Sequence, residues 1–319
     1  MSKPRRSSVV LGAVFGLLLV GSIAVAATPV KVLGTARNEI DPTAEFGNFA
    51  YALGRVGLPN RFDVYLRRAG ASVRIKVNAN GTQAFEPNLD IGNPTLGDAL
   101  VFAQKGARAG DADIKIWDVA SGGRSEPPQG VNTNAGEWNP SLDGAHLLFG
   151  RGPPHQYYST KVILFDLTTS TQNVLDTAPL DGIVFTGTVN GDWASWTECS
   201  RTDCRAWRYR ISTTTKTEVP SRARYVYTSA IGQDVTVWYV QSGAGCGANV
   251  KIRRHQIGTA PTTLVDFPPG IDANINDLDD SVTARRVYFS RVNCSNVNNW
   301  NIYWVAGDAL ALSRVMSTL

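Results

Sequence analysis

A four-residue pattern of polar and apolar residues, which we call the block, occurs six times after residue 40. In each copy the first residue is polar, the third is Ser, Thr or Ala, and the fourth is apolar. The copies begin at Asp41, Asn93, Asn139, Thr186, Thr228 and Asp279. An aromatic residue follows each fourth position six or seven residues later. Periods of about 40 to 50 residues are typical of propeller blades and of helical arrays.

The segments between the blocks favour strands over helices. Runs of four or five β-branched and aromatic residues, such as those at 162–165, 207–211 and 302–305, are separated by turn sequences such as Asn190-Gly191-Asp192. After residue 27, spacings of three and four do not persist long enough for an amphipathic helix. We therefore predict an all-β fold over residues 28–319: one six-bladed β-propeller with four-stranded blades. Two segments compete for the outermost strand of the last blade, namely residues 30–33 and 310–315.

Residues 1–27 differ from the rest of the chain. Lys3, Arg5 and Arg6 precede an apolar run from residue 9 to 25, which ends in Ala24-Val25-Ala26-Ala27. This pattern indicates an export signal peptide, cleaved after Ala26 or Ala27. An uncleaved membrane anchor is the alternative, because the apolar run approaches the length of a membrane span. We expect a protein that is secreted or located in the periplasm or at the cell surface, with no membrane contact beyond this segment.

The charge of the chain gives no reason to expect a nucleic-acid partner. The formal net charge of +4 includes three basic residues of the signal segment, so the mature chain is near +1. Proteins that bind nucleic acid through phosphates need a concentrated basic surface.

Four cysteines occupy the same connection of their units, between the two aromatic or aliphatic anchor positions. In an exported protein an even number of cysteines points to disulfides. Cys199 and Cys204 share one connection, and Cys246 and Cys294 lie in adjacent units, so we predict the pairs Cys199–Cys204 and Cys246–Cys294. A tetrahedral zinc site built from all four is the alternative.

The predicted topology places the cysteine loops and the first residue of every block on the same face of the propeller. The resulting ring of polar residues around the channel is Asp41, Asn93, Asn139, Thr186, Thr228 and Asp279. These side chains either cap strand ends or form a ligand site. Asp41, Asp279 and Asp280 are the candidate ligands for calcium, the one cofactor that we consider. Further candidates on the loops of this face are Tyr157, Tyr158, Arg201 and Trp300.

No familiar catalytic motif occurs in the sequence. The three histidines lie outside metal-binding motifs, and there is no G-x-S-x-G nucleophile elbow. Two carboxylate pairs remain candidates for acid–base chemistry on a glycan, namely Asp41 with Asp279 and Glu86 with Glu137. A structural role competes with catalysis for each pair.

The segment NPSLDGAHLLF at 139–149, followed by VILFDL at 162–167, resembles the repeat of TolB-type six-bladed propellers. Residues 93–102 with 114–118 resemble it nearly as well. The resemblance implies an exported or periplasmic propeller that acts mainly through protein–protein contacts. TolB itself carries an α/β domain ahead of its propeller, and the 13 residues at 28–40 are too few for one.

Together these observations predict an exported, monomeric, non-catalytic propeller that binds a protein or a glycan at its loop-rich face. The alternative is a small glycan-active hydrolase or lyase with carboxylates at the channel mouth.

Overall fold

The computed structural model is an all-β, six-bladed propeller, as the sequence predicts. It describes residues 28–56, 58–78, 89–92, 98–105, 112–153, 158–221, 223–243, 245–279 and 285–307. Six separate antiparallel sheets of four strands each account for all 24 strands in this part of the chain. No helix of the described residues is long and apolar enough to cross a membrane.

Each of the first five blades is continuous in sequence. Blade 1 contains β2 (Glu39–Glu45), β3 (Asn48–Arg55), β4 (Leu58–Arg67) and β5 (Ile75–Lys76). Blade 2 contains β6 (Asp90–Gly92), β7 (Ala99–Lys105), β8 (Ala112–Asp118) and β9 (Arg124–Ser125). Blade 3 contains β10 (Gly136–Asp143), β11 (His146–Gly152), β12 (Lys161–Asp166) and β13 (Thr171–Thr177). Blade 4 contains β14 (Ile183–Asn190), β15 (Trp193–Cys199), β16 (Cys204–Arg210) and β17 (Thr215–Glu218). Blade 5 contains β18 (Tyr225–Gly232), β19 (Val235–Gln241), β20 (Val250–Gln256) and β21 (Thr262–Asp266).

The sixth blade joins the two ends of the propeller. Its inner strands are β22 (Ile271–Asp279), β23 (Arg286–Asn293) and β24 (Asn301–Ala306), and its outermost strand is β1 (Val30–Leu33). Val30 pairs with Trp304 and Lys31 with Tyr303. The structure therefore assigns the closing strand to the N-terminal candidate, whereas residues 310–315 lie outside the described part.

The recurring aromatic is the central core residue of each blade. It lies on the second strand in every case and is at most 3% exposed, at Tyr51, Phe102, Phe149, Trp196, Trp238 and Phe289. Side chains on the two faces of a blade pack against the neighbouring blades, and burial of these large rings supplies much of the hydrophobic contribution to folding. The period of the aromatic in the sequence is therefore the period of the blades.

The predicted first residue of the innermost strand was wrong in blades 2 and 6. Strand β6 begins at Asp90, before the predicted opening at Asn93, and Asp279 is the last residue of β22 rather than its first. In the structurally equivalent blocks of these blades an aspartate occupies the third position, Asp90 before Ile91 and Asp277 before Leu278. The sequence pattern required Ser, Thr or Ala at that position, so it selected a later match.

Both predicted disulfides are confirmed. Cys199 and Cys204 are joined across the β15–β16 hairpin, and both are buried. Cys246 and Cys294 link the β19–β20 loop of blade 5 to the β23–β24 loop of blade 6. With all four thiols oxidised, the alternative zinc site is excluded, because zinc binds the thiolate form.

Candidate functional site

Polar side chains of the innermost strands bind each blade to the next around the channel. In five of the six blades the side chain of the third residue of the block accepts a hydrogen bond from a backbone N–H of the following blade; in blade 5 that residue is Ala230, which has no polar side chain. We call Thr43, Asp90, Ser141, Thr188 and Asp277 the inter-blade ring. The donors are Ile91 N to Thr43 at 3.1 Å, Leu142 N to Asp90 at 3.1 Å, Val189 N to Ser141 at 2.8 Å, Ile231 N to Thr188 at 2.8 Å and Ala44 N to Asp277 at 3.0 Å.

Thr43 lies between two buried carboxyl groups of this ring. Its Oγ1 is 3.0 Å from Asp90 Oδ1 and 3.0 Å from Asp277 Oδ2, so these two oxygens are at most 6.0 Å apart. A threonine hydroxyl has a single hydrogen and can donate to only one of them. The second contact is a hydrogen bond only if its carboxyl is protonated and donates to Oγ1. The geometry is that expected when one of the two carboxyl groups, Asp90 or Asp277, is protonated.

Electrostatics agree with this proton count. Burial raises the pKa of Asp90 to about 6, against contributions from Ser141, Leu142 and Thr43 that lower it. Burial also raises the pKa of Asp277 well above its usual value, and the charge of Asp90 raises it further. Two carboxylates this close in a site with little water favour a singly protonated pair.

The inter-blade ring divides the channel into two compartments. We call the side of the second-to-third-strand loops and blade-to-blade connections the crossing face, and the side of the other hairpin turns the turn face. The lining of the compartment toward the crossing face includes Asn139, Thr186, Ser229 and Asn276. Glu45 and Asp143 line the compartment toward the turn face. Asp90 contributes to both linings.

Several residues of the predicted polar ring do line the channel at the crossing face. Asn139 and Thr186 belong to that compartment. The hydroxyl groups of Thr186 and Ser229 are buried and have no hydrogen-bond partner in the described structure. The backbone of Thr228 lies in β18, and Asn93 lies outside the described residues. The turn-face carboxylates were not predicted, because the block register had placed the candidate site only at the strand openings.

Backbone conformation explains the acidic or amide residue that opens two of the blocks. Asp41 has φ +51° and Asn139 has φ +49°. Asp and Asn enter this left-handed region more readily than other non-glycine residues. Both positions coincide with an irregularity in strand pairing, so these residues form the bulge at the start of the inner strand.

The structure does not bring the candidate calcium ligands together. Asp41 lies two residues before Thr43 and Asp279 two residues after Asp277, so they lie on opposite sides of the inter-blade ring along the channel. Asp41 Oδ1 instead accepts a hydrogen bond from Asn276 at 2.9 Å. Asp280 lies outside the described residues. Within the described residues, no group of three or more His, Cys, Asp or Glu side chains has the arrangement of a metal site.

The predicted loop residues differ in how they meet solvent. Tyr158 is 40% exposed. The side chain of Arg201 is 78% exposed and pairs with Asp181 at 3.0 Å. Trp300 is half-buried, and its backbone N–H donates to Asn38 Oδ1 at 3.2 Å, which ties its loop to the start of blade 1. Tyr157 lies outside the described residues.

Several exposed apolar side chains lie on loops of the crossing face, and others, namely Phe46, Val73 and Ile257, lie on the turn face. Leu180, in the connection from blade 3 to blade 4, is 96% exposed. Val56 and Leu58 flank the second-to-third-strand turn of blade 1, and Val297 lies in the corresponding loop of blade 6, with exposures of 83%, 44% and 52%. Tyr158 lies in the corresponding loop of blade 3. Of these residues only Tyr158 was predicted from the sequence, because single apolar residues in loops give no periodic signal.

Of the two carboxylate pairs predicted for acid–base chemistry, the structure describes both members of only one, Asp41 with Asp279. Asp41 and Asp279 are separated as described above, and Glu86 lies outside the described residues. Glu137 is fully buried and binds Thr133 Oγ1 at 2.7 Å and Arg151 Nε at 3.0 Å. Burial raises the pKa of Glu137. These bonds give Glu137 a structural role at the entry to blade 3.

Comparison with known proteins supports the fold. No family model matches the sequence, and no curated protein matches it. Among solved structures, TolB from Acinetobacter baumannii aligns with a TM-score of 0.52 at 11% identity, over 82% of this chain and 64% of the TolB chain. A second protein assigned as TolB, from Agrobacterium tumefaciens, aligns with a TM-score of 0.54 at 15% identity, over 86% and 92% of the two chains. An oligogalacturonate lyase from Vibrio parahaemolyticus aligns with a TM-score of 0.49 at 9% identity, over 86% and 91%.

These comparisons concern architecture rather than activity. The chain spans less than two thirds of the Acinetobacter TolB chain, and identities of this size carry no information about ligands or partners. The two TolB alignments cover more than four fifths of this chain. The protein is a six-bladed β-propeller with the fold of the TolB propeller.

Proposed function

We propose that this protein is an exported, non-catalytic propeller that binds a protein partner through its crossing face. The observation that carries the proposal is the 96% exposure of Leu180 on that face, with Val56, Tyr158 and Val297 exposed on other loops of the same face. Exposed apolar side chains gathered on one surface mark interaction sites in soluble proteins. Burying them against a partner would contribute about 25 cal/mol per Å² of apolar surface.

Charged residues between the apolar ones suit a protein interface. Arg201 and Asp181 form an exposed ion pair directly after Leu180 and beside the Cys199–Cys204 hairpin. Arginine and aromatic residues are enriched in protein interfaces, and rim charges set the orientation of the partner. The sequence also predicts a glycan as an alternative ligand of this face.

Two disulfides support export. They persist in oxidising compartments such as the periplasm or the extracellular space. Both pairs lie in the loops of the crossing face. The proposed binding surface therefore has its loops fixed by covalent bonds suited to such a compartment.

A second candidate function, glycan cleavage, rests on the distance between Asp90 and Asp277. Their nearest bonded oxygens are at most 6.0 Å apart, which is compatible with the separation of about 5 to 5.5 Å used by retaining glycosidases. Both residues are more than nine-tenths buried and accept backbone N–H bonds. These bonds favour a structural role, so we expect neither the wild-type protein nor Asp277→Asn to cleave polysaccharides.

Replacing Leu180 tests the binding proposal. The mature protein is immobilised and incubated with envelope extract, in parallel with Leu180→Asp and with Val73→Asp as the control. Val73 is 72% exposed in a turn-face hairpin between β4 and β5. We expect capture of a specific protein that Leu180→Asp weakens at least about tenfold, the effect expected from losing about 1.4 kcal/mol, and that Val73→Asp leaves unchanged.

Two results would contradict the proposal. Equal capture by all three proteins would show that the crossing face is not the binding surface. Binding to a glycan array, lost in Leu180→Asp, would replace the protein partner with a carbohydrate. Circular dichroism of each variant establishes that the propeller remains folded.

A further inference from the structure

A buried arginine lies between blades 4 and 5, where the described part of the chain offers it no carboxylate partner. Arg208, on β16, is 8% exposed. Its one hydrogen bond to a described residue joins Nη1 to His255 Nδ1 at 3.2 Å. Within the described residues, no Asp or Glu oxygen lies within 4.0 Å of its guanidinium nitrogens. Asp192, close to this strand end, already binds Arg210 at 2.8 Å and Ser212.

His255 does not supply the missing negative charge. It is 6% exposed, and its Nε2 lies 3.0 Å from the carbonyl oxygen of Thr259. Arginine can only donate, so Nδ1 must accept and Nε2 must carry the hydrogen. This tautomer is neutral. Burial and the charge of Arg208 lower the pKa of His255, in agreement with the neutral form.

Other polar groups accompany Arg208 in the same seam between the blades. Ser195 is the cross-strand partner of Arg208, and Thr236 is the partner of His255. Directly paired residues in an antiparallel sheet share a face. The Arg208–His255 bond shows that these two faces meet. Thr236 is fully buried, and its Oγ1 has no hydrogen-bond partner in the described structure.

Removing a cation from water is costly, and most buried charges are paired. Arg208 is 8% exposed, and its remaining nitrogens are not among the fully buried groups that lack a partner, so they can be reached from solvent. A guanidinium has five N–H donors in a planar fork that matches an oxyanion, and the protein uses one of them here. We propose that the seam between blades 4 and 5 binds a small oxyanion, of the carboxylate or phosphate class. Arg208 is its principal binding group and the hydroxyl of Thr236 a second donor. This site is separate from the proposed interface at the crossing face.

Thermal unfolding of the mature protein in graded phosphate tests the proposal, with ionic strength held constant by sodium chloride. A parallel series with acetate in place of phosphate distinguishes the two members of the class. A ligand that binds only the folded state raises the Tm in a saturable manner. We expect saturation with at least one of the two anions, and an apparent Kd at least tenfold weaker in Arg208→Met.

Sulfate and phosphate also stabilise proteins generally by exclusion from their surface, so a matched control is needed. Arg210→Met removes an exposed arginine two residues further along the same strand and should keep the wild-type saturation curve. Thr236→Val retains the charge and shape of the seam and should weaken binding by a smaller factor. It provides the test if Arg208→Met does not fold.

Isothermal titration with phosphate and with acetate gives an independent readout. Saturable heat that disappears in Arg208→Met or falls in Thr236→Val supports the site. A linear rise of Tm with salt, identical in wild type, Arg208→Met and Arg210→Met, would overturn it. So would a wild-type titration without saturable heat for either anion.

Discussion

Thr43 is the residue where the inner strands of three blades meet. Its hydroxyl contacts Asp277 of blade 6 and Asp90 of blade 2, and accepts the N–H of Ile91. One hydroxyl hydrogen cannot serve two carboxylates, so we predict that the folded protein retains a proton here that the unfolded chain releases at neutral pH. The stability of the ring is therefore linked to pH.

The sign of this linkage follows from the direction of the shifts. Burial raises the pKa of Asp90 from 3.8 to about 6 and raises the pKa of Asp277 as well. A raised carboxyl pKa gives stability that is fully present below about pH 4 and is lost as pH rises through the folded value. The rise in the pKa of Asp90 corresponds to a change of about 3 kcal/mol in the free energy of unfolding. His255, whose pKa is lowered, acts in the opposite direction, so variants must be compared with wild type.

Asp277→Asn should remove the part of this pH dependence that Asp277 contributes. The N–H of Ala44 and the hydroxyl of Thr43 both contact Asp277 Oδ2, so an asparagine carbonyl oxygen in that place can accept from both, and an amide does not titrate. Urea unfolding at pH 5 and at pH 7.5 measures the effect. We expect the free energy of unfolding of wild type, relative to Asp277→Asn, to fall by about 1 to 3 kcal/mol between these values. The control Asp181→Asn alters an exposed carboxylate and should show the same pH dependence of stability as wild type. If the stability of Asp277→Asn also changed with pH as that of wild type does, the proposed protonation of the Asp90–Asp277 pair would be refuted.

At the scale of elements, the two disulfides constrain very different lengths of chain. Cys246–Cys294 closes a separation of 48 residues and spans two blades, whereas Cys199–Cys204 closes a separation of 5 within one hairpin. The chain-entropy model predicts stabilisation of about 4 kcal/mol for the long loop and about 2 kcal/mol for the short one. Denaturant unfolding of the paired variants Cys246→Ser/Cys294→Ser and Cys199→Ser/Cys204→Ser measures both. A larger loss from the hairpin pair would contradict this ranking.

The sequence predicted the elements better than their exact register. Short aromatic and β-branched runs specify strands, and the recurring aromatic is buried in the second strand of each blade. The register failed in blades 2 and 6 because Asp90 and Asp277 occupy a position that holds Thr, Ser or Ala in the other blades. In every blade except blade 5, which has Ala230 there, this side chain accepts a backbone N–H from the next blade, and a carboxylate can do so as well as a hydroxyl.

The candidate site was only partly predictable. Asn139 and Thr186 do line the channel as predicted, because the position of a residue along the innermost strand determines its position along the channel axis. Pairs such as Arg208 with His255 depend on which faces of two blades meet, and that follows from a one-residue choice of strand register. Exposure of Leu180 depends on loop conformation, for which the sequence carries no periodic signal.

At the scale of the whole molecule, a four-residue strand closes the ring of blades. Strand β1 pairs with β24, and Val32 and Leu33 pack with Tyr288 and Trp304 against blade 1. Without β1, the backbone groups of β24 would form an exposed sheet edge, and such edges promote pairing with other chains. The closing strand thus protects the last blade and joins the N-terminal segment to the C-terminal one.

Leu33→Asp should open this closure. A charged side chain cannot remain in the half-buried site of Leu33 without losing hydration, so we expect a loss of about 2 to 4 kcal/mol in the free energy of unfolding. The control Val30→Thr alters a residue of the same strand that is 46% exposed and should change stability by less than about 0.5 kcal/mol. Hydrogen exchange should be accelerated in β24 of Leu33→Asp before it is accelerated in blades 2 to 5, because the last blade loses its outer strand first. Uniform acceleration in all six blades would instead indicate that the propeller unfolds as one cooperative unit, independent of this closure.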